Sequence, residues 1–282
     1  MWGLALAPAL NWNDFSGRAV LVTGGSKGIG LATGIAFGRR GAHVTLTHKW
    51  GSVDVEAVRA EFRKAGAPEP DLIEADASQD ESIHTALAAI RRRHQALHSF
   101  ISNVAVAPVV QSFEQYSRRD FARCVDYSLW PLVSHVQAIK KVFGAYPRYV
   151  VALSSQGAES YGVNYDVMAA TKAALETVCR YMNFRLREFG TRVNVLRTRF
   201  SRTDSLRDMF GPEFEAFVDT HSPGLFTEAA EVGEAVVGLC CGLMDAVAGQ
   251  VVTVDRGAGF CDNLSRLFEE RDRLSLRSQK GP

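Results

Sequence analysis

The chain has 282 residues, of which 46% are hydrophobic and 22% charged, and its formal net charge is +1. This length suits one large α/β domain with a substantial core. The near balance of charge argues against a nucleic-acid binder, which carries a basic excess. No apolar run approaches the ~20 residues of a membrane span.

Residues 1–16 open with a short apolar stretch that lacks the basic start of a secretion signal, and are read as an N-terminal arm. The five cysteines form no C-x-x-C pair. Cys240-Cys241 sits in an apolar run and is read as core, so no metal site is expected. This usage fits a reducing, cytoplasmic setting.

From residue 17 short β-rich runs alternate with longer helical ones. Strands are predicted at residues 18–23, 43–47, 71–75, 99–103, 148–154, 192–196 and 250–254. Helices are predicted at 29–40, 53–65, 81–94, 118–143, 165–189 and 229–243, several of them stopped by glycine. The alternation implies an α/β fold, a single doubly wound domain over 17–262. It has a seven-stranded parallel sheet with helices on both faces and a ligand crevice at the carboxyl ends of the strands. Residues 198–225 contain no clean strand and carry many charges. Following the sixth strand, they are expected to cover the crevice as a substrate lid. Residues 263–282 are read as a short helix and a C-terminal tail.

The first strand runs into Thr23-Gly24-Gly25-Ser26-Lys27-Gly28-Ile29-Gly30. Glycines permit a tight turn and close approach of backbone to a pyrophosphate, while the next helix aims its amides and dipole at that charge. Gly24, Ser26, Lys27, Gly28, Ile29 and Gly30 are therefore candidate cofactor ligands. The second strand ends Thr47-His48-Lys49 with no carboxylate to grip a ribose 2′-hydroxyl. Lys27, His48 and Lys49 suit a 2′-phosphate, which favours NADP(H) over NAD(H). Asp76, past the third strand, is placed for an adenine amino group. Asn103, past the fourth, lies where the ribose would run.

Tyr165, Met168 and Lys172 share one face of the long second-half helix, at i, i+3 and i+7. The glycine turn, Ser154-Ser155 and the Lys172 helix together resemble the short-chain dehydrogenase/reductase family over roughly 17–262. The resemblance implies a Rossmann-type fold. In the common family pattern a Tyr lies four residues before the Lys, where this chain has Met168. Tyr165-Asp166-Val167-Met168-Ala169-Ala170-Thr171-Lys172 instead resembles the Tyr-x6-Lys signature of bacterial enoyl-acyl-carrier-protein reductases, with an ordinary glycine turn. Ser128, where ketoreductases carry Asn, is similar to that branch too.

The resemblance implies that Tyr165 stabilises an enolate oxygen and that Lys172 holds the nicotinamide ribose. Ser155 assists, and Met168 lines an acyl slot. Ala77 and Thr203 join the cofactor contacts. A donor moved from position 168 to 165 travels ~5 Å along the helix. That displacement is compatible with charge appearing on a thioester oxygen, rather than on the alkoxide oxygen of the carbon that takes hydride. Arg197 and Arg199 depart from the family's small residues after the sixth strand, and either bind an anion, Arg199 touching substrate, or face solvent.

Three functions remain open on these residues: an NADPH-dependent enoyl-thioester reductase, a carbonyl reductase, or a non-catalytic NADP-binding protein. The implied partners are a small or carrier-bound thioester and further copies of the chain, as a homodimer or homotetramer, with no nucleic acid or membrane.

Overall fold

The computed structural model describes residues 11–49, 53–222, 224–260, 262–269 and 271. Most of the N-terminal arm, Cys261 and, in the tail, residues 270 and 272–282 lie outside these. The described end of the arm joins the domain, because Phe15 is fully buried edge-on to Phe37.

The first half builds β1 (Ala19–Val22), α1 (Gly28–Gly38), β2 (His43–His48), α2 (Val55–Lys64), β3 (Asp71–Glu74), α3 (Asp80–Arg91) and β4 (Ser99–Ser102). Asp54 caps α2 by accepting from the Ala57 amide, satisfying a donor that the first turn leaves unpaired. The second half builds α4 (Arg118–Ser128), α5 (Trp130–Phe143), β5 (Tyr149–Ser155), α6 (Asp166–Leu186) and β6 (Arg192–Thr198). After these come β7 (Ser201–Arg202), α7 (Asp204–Phe210), α8 (Pro212–His221), β8 (Thr227–Glu228), α9 (Ala229–Cys240), β9 (Val251–Val254) and α10 (Asn263–Glu269).

The main sheet has seven strands in the order β3-β2-β1-β4-β5-β6-β9, and all its pairings are parallel. Chain order reverses between β1 and β4, so the crevice expected of a doubly wound sheet opens there. Helices α1, α2 and α9 pack one face around Phe37, Phe62 and Val236, and α3, α5 and α6 pack the other around Leu87, Leu132 and Leu175. Parallel strands covered on both faces read as continuous apolar runs, which is why β1, β4 and β5 are buried almost throughout.

The helix predicted over 118–143 is two helices. Leu129 takes φ −126° and ψ −56°, and Pro131 begins the second helix. A continuous helix would need an amide at 131 to bond the carbonyl four residues back, and proline has none. The segment expected to form a lid has more structure than its sequence pattern implied. Its two helices lie between β7 and β8, which pair as a two-residue parallel ladder. Phe200, Phe210, Phe214 and Phe226 cluster inside it. Arg202 fastens it through Asp219 and Glu228.

Candidate active site

A cleft of about 640 Å³ runs along the carboxyl ends of β1, β2, β4, β5 and β6 and under α7. One end is the glycine turn. Thr23 Oγ1 accepts from the Asn103 amide, and Asn103 Nδ2 donates to the carbonyls of Thr23 and Gly24 at 3.1 and 2.9 Å. Asn103 therefore ties the end of β4 to the turn. A β-carbon on Gly30 would lie 2.3 Å from the Gly24 carbonyl oxygen, so only glycine lets α1 start this close to β1. Lys27, ahead of α1, makes no side-chain cap, leaving the first-turn amides directed at the cleft. Gly24, Ser26, Lys27, Gly28 and Ile29 line it, with Thr203 on the facing side. A backbone cradle with unclaimed amides at a helix start is what a pyrophosphate requires. Gly30 serves by its packing and does not line the wall.

The adenosine end is made by His48, Lys49, Ala75 and Ala77. Lys49 and Asp76, which were expected to meet different parts of a nucleotide, pair with each other. Lys49 also donates to the Tyr127 hydroxyl, and its ammonium stands 4.5 Å from that ring's centre. Asp76 Oδ1 accepts from the Ser78 amide and hydroxyl. Burial alone would raise the Asp76 pKa, but the hydrogen bonds from Lys49 and Ser78 outweigh it and hold the carboxyl below its usual range. His48 Nδ1 is buried with no hydrogen-bond partner among the described residues.

Ser155, Tyr165 and Lys172 line the middle of the cleft together. Ser155 ends β5 and Tyr165 immediately precedes α6. The Tyr165 ring is held by Gly157, where a β-carbon would lie 2.5 Å from ring atom Cδ1. Burial pushes the Tyr165 phenol upward, partly offset by its hydrogen bond with Ser155. Lys172 is buried and donates to the Leu153 carbonyl at 2.6 Å. Burial pulls its pKa down to about 8, against the pull of Cys124, Cys179 and Glu176. The ammonium is charged at neutral pH and close to its titration point.

Two residues, Met168 and Arg197, stand elsewhere than expected. Met168 is 1% exposed and packs with Val110, Cys124 and Val167 beneath the site, so it does not form the wall of an acyl slot. A side chain that fills the helix–helix contact there leaves the cleft to Tyr165, one turn earlier. Arg197 neither binds an anion from the cleft nor faces solvent; it is buried against Glu176. Arg199 lines the cleft, with Nη1 donating to the Ala258 carbonyl at 2.6 Å. The apolar lining under α7, chiefly Met209, Phe210 and Leu206, was not singled out from the sequence. The spacing of apolar residues at 206, 209 and 210 was its only signal. Ser128 holds the loop after β4, accepting from the Val106 amide at 3.0 Å.

Residues 24–259 match the family model described as Enoyl-(Acyl carrier protein) reductase. The NADH-dependent enoyl-[acyl-carrier-protein] reductase FabI of Aquifex aeolicus is 28% identical over 250 residues, covering 86% of this chain and 91% of that protein. The 1-cyclohexenylcarbonyl-CoA reductase of Streptomyces collinus is 27% identical over 244 residues, covering 84% and 85%. A short-chain type dehydrogenase/reductase from Mycobacterium marinum superposes with a TM-score of 0.79 at 20% identity, covering 88% and 98%. The chain thus belongs to the enoyl-(acyl carrier protein) reductase family within the short-chain dehydrogenase/reductases, nicotinamide-dinucleotide-dependent oxidoreductases, and is of the Tyr-x6-Lys type with an ordinary glycine turn.

Proposed function

We propose that the protein is an NADPH-dependent reductase of the conjugated double bond in an enoyl thioester. The observation that carries this reading is that Tyr165 shares the cleft with Ser155 and Lys172 while Met168 is buried below. When bound, the reduced nicotinamide supplies hydride to the β-carbon of the substrate. Negative charge then develops on the thioester oxygen. Tyr165 stays protonated because burial raises its pKa, so its hydroxyl can donate a hydrogen bond to that oxygen as charge appears. Ser155 orients the phenol. Lys172 holds the ribose hydroxyls and adds positive potential to the same region. Met209, Phe210 and Leu206 roof the cleft with an apolar surface suited to an acyl chain and to the exclusion of water.

The preference for NADPH rests on His48 and Lys49, which end β2 where a ribose-binding acid would otherwise stand. It separates this chain from the NADH-named relative. The thioester is carried by an acyl carrier protein or coenzyme A. Assembly as a homodimer or homotetramer would cover the exposed aromatic side chains Trp130 on α5 and Tyr181 and Phe184 on α6.

The test is oxidation of NADPH by purified protein with crotonyl and acetoacetyl thioesters. Turnover of the crotonyl substrate is expected. Turnover of the β-keto substrate alone refutes the reading and assigns a carbonyl reductase. Tyr165→Phe is expected to lose about 10²–10³ in kcat, the size seen when one oxyanion donor is removed.

A further inference from the structure

Arg197 lies near the carboxyl end of β6, between Ser154 of β5 and Thr253 of β9 in register, and is 4% exposed. A guanidinium so placed requires full pairing. Its Nε and Nη2 donate to Glu176 Oε1 and Oε2 at 3.0 and 2.6 Å, the two-pronged geometry that suits arginine and not lysine. Its Nη1 reaches Glu159 Oε2 at 2.5 Å. Ser154 Oγ donates to Glu176 Oε1 at 2.6 Å.

Each partner adjoins a reacting residue. Glu176 lies one helical turn beyond Lys172 on α6, on the same face. Ser154 precedes Ser155. Glu159 lies two residues past Gly157, which stands against the Tyr165 ring. One side chain from β6 thus gathers the lysine helix, the end of β5 and the turn under Tyr165.

We propose that Arg197 is a positioning residue: through Glu176, Ser154 and Glu159 it holds Lys172, Ser155 and Tyr165 in register, and it occupies Glu176 so that this carboxylate does not capture Lys172. This rests on the roles given above to Tyr165 and Lys172. Bound to Arg197, Glu176 leaves the Lys172 ammonium donating to the Leu153 carbonyl and directed at the cleft. Without Arg197, the one buried Lys or Arg left among the described residues would be Lys172, one turn from the Glu176 carboxylate. The titratable groups acting on Lys172 are Cys124 from α4 and Glu176 and Cys179 on α6; Tyr165 ahead of α6 lines the same cleft, and Arg197 from β6 stands behind Glu176.

The experiment compares Arg197→Met, Glu176→Gln, the paired variant carrying both changes, and Glu159→Gln. NADPH binding is followed by fluorescence from pH about 7 to about 9.5, and kcat and KM are measured on a crotonyl thioester. Glu176→Gln removes a carboxylate from beside Lys172 and leaves Arg197, so the basic limb moves to lower pH. Arg197→Met leaves the carboxylate alone with Lys172, so the limb moves to higher pH and NADPH binds about tenfold more weakly. The paired variant returns the limb close to wild type, yet kcat stays about tenfold low with KM little changed, because Tyr165's turn is no longer held. Glu159→Gln lowers kcat several-fold and leaves the limb in place.

A limb that moves the same way in both single variants, or in neither, overturns the proposal. Full kcat in both the paired variant and Glu159→Gln overturns it as well. If Arg197→Met does not fold, those two variants decide, since one buries no unpaired charge and the other alters an exposed side chain. Wild-type protein that binds NADPH but reduces no enoyl thioester defeats the proposed reaction, and the shifts in binding then still judge Arg197.

Discussion

Replacing Gly157 with alanine puts a methyl group into the back of the Tyr165 ring. The new carbon would lie 2.5 Å from Cδ1 and 2.7 Å from Cε1. Carbon atoms settle at about 3.5–4.0 Å, so the ring must retreat by roughly 1 Å. Overpacking of this kind costs about 1–3 kcal/mol of stability. For a domain of this size each kcal/mol lowers Tm by about 2–4 °C. The functional cost is larger, because misplacing a reacting group by ~1 Å costs about 10² in rate. The expected result is a folded protein, a few degrees less stable, whose kcat on a crotonyl thioester falls about 100-fold. NADPH affinity stays close to wild type, since neither the glycine turn nor Lys172 is touched. Gly238→Ala is the control: beyond its own turn of helix no atom lies within 4 Å of the added carbon, the site is in the last turn of α9, and a gain of up to about 0.5–1 kcal/mol is expected with no change in rate. Wild-type turnover by folded Gly157→Ala protein would refute the claim that the position of the Tyr165 ring sets the rate.

Other outcomes follow from the same geometry. Gly30→Ala drives a carbon to 2.3 Å from the Gly24 oxygen and 2.6 Å from Asn103 Nδ2, forcing the turn open, so NADPH binding measured by fluorescence should be lost. Normal binding would remove the turn from the phosphate site. The pKa of Lys172 is lowered from 10.5 to about 8, so its charged form persists only below that pH. Cofactor binding and kcat/KM should therefore decline as pH rises through about 8, and a profile flat to pH ~9.5 means that this charge is not used. Lys49→Ala should raise KM for NADPH about tenfold or more and change that for NADH little, the worth of one charge-assisted contact to a phosphate. Equal changes for both cofactors would cancel the NADPH assignment.

The parallel sheet was readable from sequence because its strands are short apolar runs between amphipathic helices, and burial on both faces demands that pattern. The break at Leu129 was missed: Pro131 signals it, but the helical pattern runs through it and hid the boundary. Tyr165 and Lys172 were singled out by the family resemblance together with their i, i+7 spacing, and they line one cleft. The resemblance put Met168 in an acyl slot, but a shared helical face includes both a cleft side and a buried flank, and Met168 lies on the flank. Arg197 could not be read. A charge in a strand signals solvent or ligand unless its partner is known, and Glu176 lies 21 residues away on another element. The Lys49–Asp76 pair escaped although β2 and β3 are consecutive strands, because the residues past their ends were assigned to different parts of a nucleotide and not to each other.

The segment expected to act as a lid carries a consequence for selectivity. Its ladder, its four phenylalanines and the Arg202 contacts are all made within the protein. A roof that must be ordered by its ligand draws on that ligand's interaction energy, and rewards molecules large enough to supply it. A roof held by contacts of its own draws less on that energy. Discrimination between short and long acyl groups then falls more to the shape of the slot beneath it.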